Sequence, residues 1–374
     1  MGPLRGLRIL EFAGIGPGPF AAMVLANLGA DVIRLRRPEE QAPLDLAAVA
    51  VDHLGRPALA VDLKTPEGRD LAVRLAARAE AVIEGFRPAV MERLGLGPDV
   101  LLAANPALVY ARITGYGQDG PKAQEPGHDI NYLAVSGALA ASARAGERPL
   151  FPLNLLADYG GGGMLVALGV LAGVLEARSS GRGQVVDAAM VDGVAQLATV
   201  FFGFAADGAW GPPGTNALDS GAPFYEVYRT RDDRFVAVGA LEPQFYADLL
   251  TVLDIGPESA PQWDTSRWPE LKSLFADTIR MRTRDDWVRR AHGHQACLSP
   301  VLDFGEVAAL SAADPAARPG FGALGGRHLP RAAPRFSRTP TSTEPSVPDP
   351  AAALRSWGFS EAEVETLRTA GARD

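Results

Sequence analysis

The 374-residue chain has one cysteine, Cys297, so no internal disulfide can staple it. Basic residues are in the minority: 36 Lys and Arg face 44 Asp and Glu, and the formal charge of -8 argues against a nucleic-acid partner. The opening MGPLRGLRIL lacks the apolar run and small-residue cleavage site of a secretory signal. A reducing, cytoplasmic setting is therefore the expectation. Long apolar runs are scarce too. The richest, MLVALGVLAGVLE from Met164 to Glu176, falls short of the roughly 20 residues a bilayer demands and reads as a buried helix, so no membrane partner is expected. No internal repeat is visible. HGHQAC, residues 292–297, offers His292, His294 and Cys297 but not the four-ligand spacing of a structural zinc, and no metal is expected.

What the chain does have is alternation. LRILEFA, DVIRL, LAVDL, AVIEGF and LVYARITGYG read as strands separated by helical patterns such as PFAAMVLANLGA and the segment from Pro66 to Ala79. This is the grammar of an α/β fold with a parallel, helix-covered sheet. Residues 1–186 read as a large Rossmann-like domain and 187–223 as a connector, whose ADGAWGPPGTNALDSGAPF stretch is dense in glycine and proline. Residues 224–310 read as a smaller α+β domain that begins with a hairpin, YEVYRT and RFVAVGAL about RDD. A return linker follows over 311–374, proline-rich to Pro350, and ends in a helix with Ser360 and Glu363 spaced as a capping box.

The turn AGIGPGPFAA after the first strand sits where a dinucleotide fold carries its glycine fingerprint, but Pro19 occupies the third position. Arg34, Arg36 and Arg37 stand where a nicotinamide enzyme places an acid for ribose. On their own the three arginines fit a solvated loop equally well; with Lys64 and Arg87 at the ends of two further strands, a multiply phosphorylated ligand at the carboxyl edge of the sheet is the economical explanation.

Two stretches carry acid–base candidates. In EPGHDINY, His128 precedes a helical pattern that Asp129 or Asn131 could cap. In PLNLLADYGGGGML, Asp158 precedes four glycines, and it too fits a cap. The glycines offer unscreened amides at a helix start, the equipment for holding an oxyanion, a contribution of about 3–4 kcal/mol per donor. Histidine, carboxylate and oxyanion site together suit proton removal beside a thioester carbonyl.

These residues resemble the family III coenzyme A transferases and, within them, the α-methylacyl-CoA racemases. The resemblance covers most of the chain and is carried by LRILEFAGIGPGPFAAMVLANLGADVIRL, VIEGFRPAVMERLGLG, YARITGYGQDGP, GHDINY, PLNLLADYGGGGM, RSSGRGQVVDAAMVDG, FVAVGALEPQFY and CLSPVLDFGEV. Transferase members use an aspartate resembling Asp158 as a nucleophile and generally have an aromatic residue at the position of His128. The racemase branch has GHDINY, as this chain does.

The resemblance implies a racemase in which His128 and Asp158 exchange protons with the two faces of a 2-methylacyl-CoA, with Glu242 beside the histidine. The alternative it leaves is a CoA-transferase working through an aspartyl intermediate. It implies that coenzyme A, part of the substrate rather than a cofactor, is held by Arg37, Val61, Asp62, Leu63, Lys64 and Arg87 and by Gly127, Asp129, Ile130, Asn131 and Tyr132. The enolate oxygen would be held by backbone at Asp158, Gly160 and Gly161. It further implies an interlocked homodimer, with Glu242 supplied by the other subunit and the C-terminal helix packed on the large domain. One departure stands out: family members place a basic cluster such as RGKR before the VDLK strand, and this chain has VDHLGRP, which keeps Arg56.

Overall fold

The computed structural model describes residues 2–38, 55–314, 318–324, 327–341 and 349–365, in two compact units. The first unit comprises residues 1–136, 152–197 and 311–374; the second comprises 137–151 and 198–310.

In the first unit the chain runs β1 (Arg8–Phe12), α1 (Pro17–Asn27), β2 (Asp31–Arg36), β3 (Ala58–Ala60), α2 (Pro66–Ala76), β4 (Ala81–Glu84), α3 (Val90–Arg93), α4 (Pro98–Ala104), β5 (Val109–Thr114) and α5 (Asp129–Val135). After α6 (Ala138–Ala141), which belongs to the second unit, it returns as a π-helix (Leu155–Met164), α7 (Leu165–Ser180), β6 (Gln184–Ala189) and α8 (Met190–Leu197). The six strands are all parallel, in the order β3-β2-β1-β4-β5-β6. Every residue of β4 and β5 is buried, as expected of strands covered on both faces. The order reverses between β1 and β4, and ligands of open parallel sheets bind outside the carboxyl ends at such a point.

One face of the sheet is covered by α2 and by the end of the chain. Leu10, Ile33, Val82 and Tyr110 pack with Leu71 and Leu75 and with Leu354, Trp357 and Phe359. The other face receives α1, the π-helix, α7 and α8. Glycines permit that approach: a Cβ on Gly173 would stand 2.8 Å from the Val109 side chain, and one on Gly169 2.7 Å from Val186.

The sequence places the four glycines at a helix start, and the apolar run after them reads as too short for a bilayer. The chain instead runs helical through them, and Leu155–Ser180 is 26 residues, long and apolar enough to span a membrane by length and composition, with half of its apolar window buried inside the fold. Packing against the sheet and two helices accounts for the buried half of that apolarity, while Met164, Leu168 and Leu175 stay more than half exposed.

The second unit contains α9 (Thr199–Ala206), then β7 (Tyr225–Arg229), β8 (Phe235–Gly239), α10 (Pro243–Leu253), α11 (Trp268–Arg280), α12 (Arg284–Ala291), β9 (Leu298–Pro300) and most of α13 (Phe304–Ala313). Its strands form an antiparallel sheet in the order β7-β8-β9, with Thr230 N–H donating to the Arg234 carbonyl across the expected turn. The core gathers Phe224, Tyr228, Val236, Tyr246, Leu249, Phe275 and Trp287. α12 starts with a capping box in which Thr283 Oγ1 accepts from the Asp286 amide at 3.2 Å.

In the return segment an antiparallel hairpin, β10 (Phe321–Leu324) and β11 (Arg327–Pro330), stands where a linker was expected. Prolines on either side disguised it. The middle of RTPTSTEPSVPDP, 342–348, lies outside the described residues. α14 (Pro350–Ser356) follows, and Ser360 and Glu363 then form the expected box, the Ser360 amide donating to Glu363 Oε2 at 2.7 Å.

Candidate active site

Because the six strands share one direction, their following loops share one edge of the first unit. That edge carries most of the expected site.

His128 ends the long loop after β5. It is the N-cap of α5, with extended backbone, an exposed side chain, and an N–H that donates to Asn131 Oδ1 at 3.1 Å. The loop is braced. Thr114 Oγ1 accepts from the Gly117 amide at 2.9 Å, and Asp187 Oδ2 accepts from the Gln118 amide at 3.0 Å. Tyr132, 6 % exposed, donates its hydroxyl to the Gly127 carbonyl at 2.5 Å. A Cβ on Gly115 or Gly127 would stand 2.2 or 2.7 Å from the Tyr132 ring, so both glycines exist to admit it. Burial pushes the Tyr132 phenol up to about 12, and it stays protonated as a strut beneath His128. Tyr132 and Gly127, expected at the ligand, are thus engaged with each other. Ile130 and Asn131 are exposed on α5.

Asp158 lies in the first turn of the π-helix and is half-buried. Asn154 Nδ2 donates to its Oδ2 at 3.1 Å, and the loop after β1 closes on the same oxygen: a Cβ on Gly16 would lie 3.4 Å away. Gly16 has φ of 76°, a backbone that glycine adopts without strain. Burial raises the Asp158 carboxyl above its ordinary value, and the charge of Asp129 adds to this, while the Asn154 hydrogen bond and the His128 imidazole act in the opposite sense. A carboxyl so biased can both keep and release a proton. His128 and Asp158 therefore come from α5 and the π-helix to within electrostatic reach of each other, at the same edge as the loop after β1.

The backbone around Asp158 is already engaged. The Asp129 side chain turns inward: it is 4 % exposed, and its Oδ2 accepts from the amides of Ala157 and Asp158 at 2.7 and 2.8 Å. The Asp158 amide, expected to hold the enolate oxygen, is taken by that bond. Gly160 and Gly161 lie inside the π-helix, whose interior amides serve its own i→i+5 ladder. A Cβ on Gly161 would stand 2.9 Å from the Val194 amide nitrogen, and one on Gly163 2.6 Å from the Phe20 ring. The glycine run is there for close helix packing, a reason that local sequence does not reveal.

The basic residues divide into two sets. Arg34 and Arg56 are 3 % and 0 % exposed and surround Glu11, itself 0 % exposed. Arg56 Nη1 donates to Glu11 Oε2 at 2.8 Å and to the Pro19 carbonyl at 2.7 Å, and Arg34 Nε lies 3.4 Å from Glu11 Oε1. This network pins the start of α1 to the sheet, so these two arginines are withdrawn from any phosphate.

Arg37, Lys64 and Arg87 remain exposed at the ends of β2, β3 and β4. Asp62 shapes the turn that presents Lys64, its Oδ1 accepting from the Lys64 amide at 2.9 Å, while Val61 is buried and Leu63 packs against the core. The turn bearing Arg87 rests on Glu84, which accepts from the Phe86 amide at 2.8 Å and is held by Arg112 at 2.8 Å.

Glu242 lies in the second unit, exposed, at the N-cap of α10 with no side-chain cap bond. Among the described residues no group of three or more His, Cys, Asp or Glu is placed to hold a metal. Sequence reasoning missed Asn154, and it read Gly16 only as part of a glycine turn. Asn154 precedes Asp158 by four residues, the spacing at which helical side chains meet, and that signal was legible.

The fold is thus a doubly wound parallel sheet with acid–base side chains and exposed cations at its carboxyl edge, where proteins of this class bind ligands. Residues 4–352 match the model of CoA-transferase family III, and the chain belongs to that family. It is 45% identical over 375 residues to the α-methylacyl-CoA racemase of Mus musculus, covering 98% of this chain and 96% of the mouse protein. It is also 45% identical to the α-methylacyl-CoA racemase of Homo sapiens over 306 residues, 81% of this chain and 79% of the human one. The crystal structure of a CaiB/BaiF family protein from Brucella suis superposes with a TM-score of 0.78 at 26% identity, covering 95% of this chain and 99% of that one.

Proposed function

We propose that this protein is an α-methylacyl-CoA racemase. The observation that carries the reading is the pairing of His128 on α5 with Asp158 on the π-helix at the switch-point edge, in a chain 45% identical to two named racemases.

In this scheme the acyl-CoA lies across the carboxyl edge with its phosphates toward Arg37, Lys64 and Arg87. The thioester acidifies the α-hydrogen. His128 takes it from one epimer while Asp158, whose raised proton affinity suits an acid, returns one to the opposite face; the roles exchange for the other epimer. The protons move between side chains and substrate, and the scheme calls for no cofactor and no metal.

The same reading includes a homodimer. Its support is apolar surface: no residue of α9 is buried, and Val200, Phe202, Leu197, Leu168 and Leu175 are each more than half exposed. The family resemblance adds that Glu242 of the partner subunit would stand beside His128 in that dimer. The net charge of -8 speaks against nucleic acid, and the single cysteine suits a cytoplasmic setting. We expect no membrane partner, since half of the apolar window of Leu155–Ser180 is packed within the fold and its exposed Leu168 and Leu175 fall to the dimer contact in this reading.

The second reading, a CoA-transferase using Asp158 as nucleophile, draws on the family name. Incubation of either 2-methylacyl-CoA epimer in deuterated water tests both. A racemase yields α-deuterium in both epimers without an acid acceptor. Absence of exchange, with an Asp158 adduct trapped by hydroxylamine when an acceptor acid is added, would establish the transferase instead.

A further inference from the structure

Asp129 directly follows His128, at the first position of α5, yet its side chain turns inward. One oxygen accepts from two consecutive amides, Ala157 and Asp158, in the first turn of the ten-residue π-helix. Among the described residues the other oxygen, Oδ1, has no hydrogen-bond partner. An anion fits that place because the first amides of a helix lack intrahelical acceptors and carry the positive end of its dipole.

We infer that Asp129 is the positioning residue of the site: one side chain ties the backbone that bears Asp158 to the backbone that bears His128, and so sets the separation of the two groups. This rests on the racemase reading of those groups. Proton exchange at opposite faces of one carbon needs that separation held closely, and a misplacement of about 1 Å can cost roughly 10²-fold in rate. The Asp129 charge has a second effect, on the proton affinity of Asp158. The groups facing Asp158 are Asn154 from its own helix start, His128, Asp129 and Tyr132 from α5, and uncharged Gly16 from the loop before α1. Of these, Asp129 is the one whose charge raises the carboxyl.

Two variants and two readouts test the inference. Asp129→Ala removes the acceptor and the charge; Asp129→Asn keeps an acceptor oxygen and removes the charge. Amide hydrogen exchange at Ala157 and Asp158 should accelerate by about tenfold or more in Asp129→Ala, a measurement independent of turnover. In α-deuterium exchange kcat should fall by roughly 10²-fold in Asp129→Ala with KM nearly unchanged. Asp129→Asn should lose less, and with the epimer for which Asp158 is the base the acidic limb of its kcat profile should move to lower pH, because removing a neighbouring negative charge lowers the proton affinity of Asp158.

A raised KM with unchanged kcat would make Asp129 a substrate contact and overturn the inference. So would unchanged kcat, pH profile and amide protection. If the wild-type protein exchanges no α-hydrogen, the racemase reading fails, and the amide measurement alone decides whether Asp129 holds the helix. If Asp129→Ala does not fold, the Asp129→Asn profile decides.

Discussion

Gly193 on α8 meets the backbone of Gly161 on the π-helix so closely that a Cβ on Gly193 would stand 1.8 Å from the Gly161 carbonyl oxygen. The contact is backbone against backbone, and no rotamer change relieves it. Gly193→Ala must therefore push the π-helix away from α8 and with it Asp158. We predict a loss of about 1–3 kcal/mol or more, seen as a Tm lower by several degrees, together with a fall in kcat. An unchanged Tm would mean that the two helices are not in contact.

Arg56 and Glu11 are both wholly buried and joined at 2.8 Å. Removing Arg56 takes from Glu11 its closer cation and from the start of α1 its tie at the Pro19 carbonyl, while Arg34 remains beside Glu11, so the cost should be that of a lost charged hydrogen bond, about 1.5–3 kcal/mol. Arg56→Ala should shift the denaturant midpoint accordingly. Arg37→Ala and Lys64→Ala, at exposed strand ends, should change stability by within about 0.5 kcal/mol and raise KM for acyl-CoA at unchanged kcat. The reverse pattern would put the ligand cations in the core network.

Glu306 gives the second unit an acid-sensitive contact. The Arg284 guanidinium, at 2.7 and 2.9 Å from its two oxygens, lowers its carboxyl from 4.5 to about 2. A carboxyl depressed on folding adds stability that is complete above 4.5 and lost as the pH falls through about 2. Thermal unfolding between pH 5 and 2 should thus be less steeply pH-dependent in Glu306→Gln than in the wild type. Identical slopes would remove Glu306 from the acid response.

Glu242 is proposed to act on the histidine of the other subunit, and complementation tests this. Chains carrying His128→Ala and chains carrying Glu242→Ala should each be inactive as homodimers. Co-expressed, their mixed dimer should regain roughly one active site of two, because one site then holds neither substitution. Silence of the mixed dimer would place both residues in the same subunit's site.

The parallel sheet was legible because buried strands and amphipathic helices alternate with clear periods, and the capping box at Ser360 because its spacing is local. His128 and Asp158 were legible as candidates for the same reason. What the sequence concealed were relationships at long separation. Arg34 and Arg56 look like ligand cations until Glu11 is seen between them. The glycines after Asp158 look like exposed amides until α1 and α8 are seen against them. Asp129 looks like part of a ligand loop until the amides 28 and 29 residues further on are found at its carboxylate.

The most direct measurement is a crystal structure of the protein with a bound 2-methylacyl-CoA. The account predicts the His128 imidazole and the Asp158 carboxylate on opposite faces of the acyl α-carbon, each within reach of its hydrogen. Both groups on one face, or either one remote from that carbon, would contradict it.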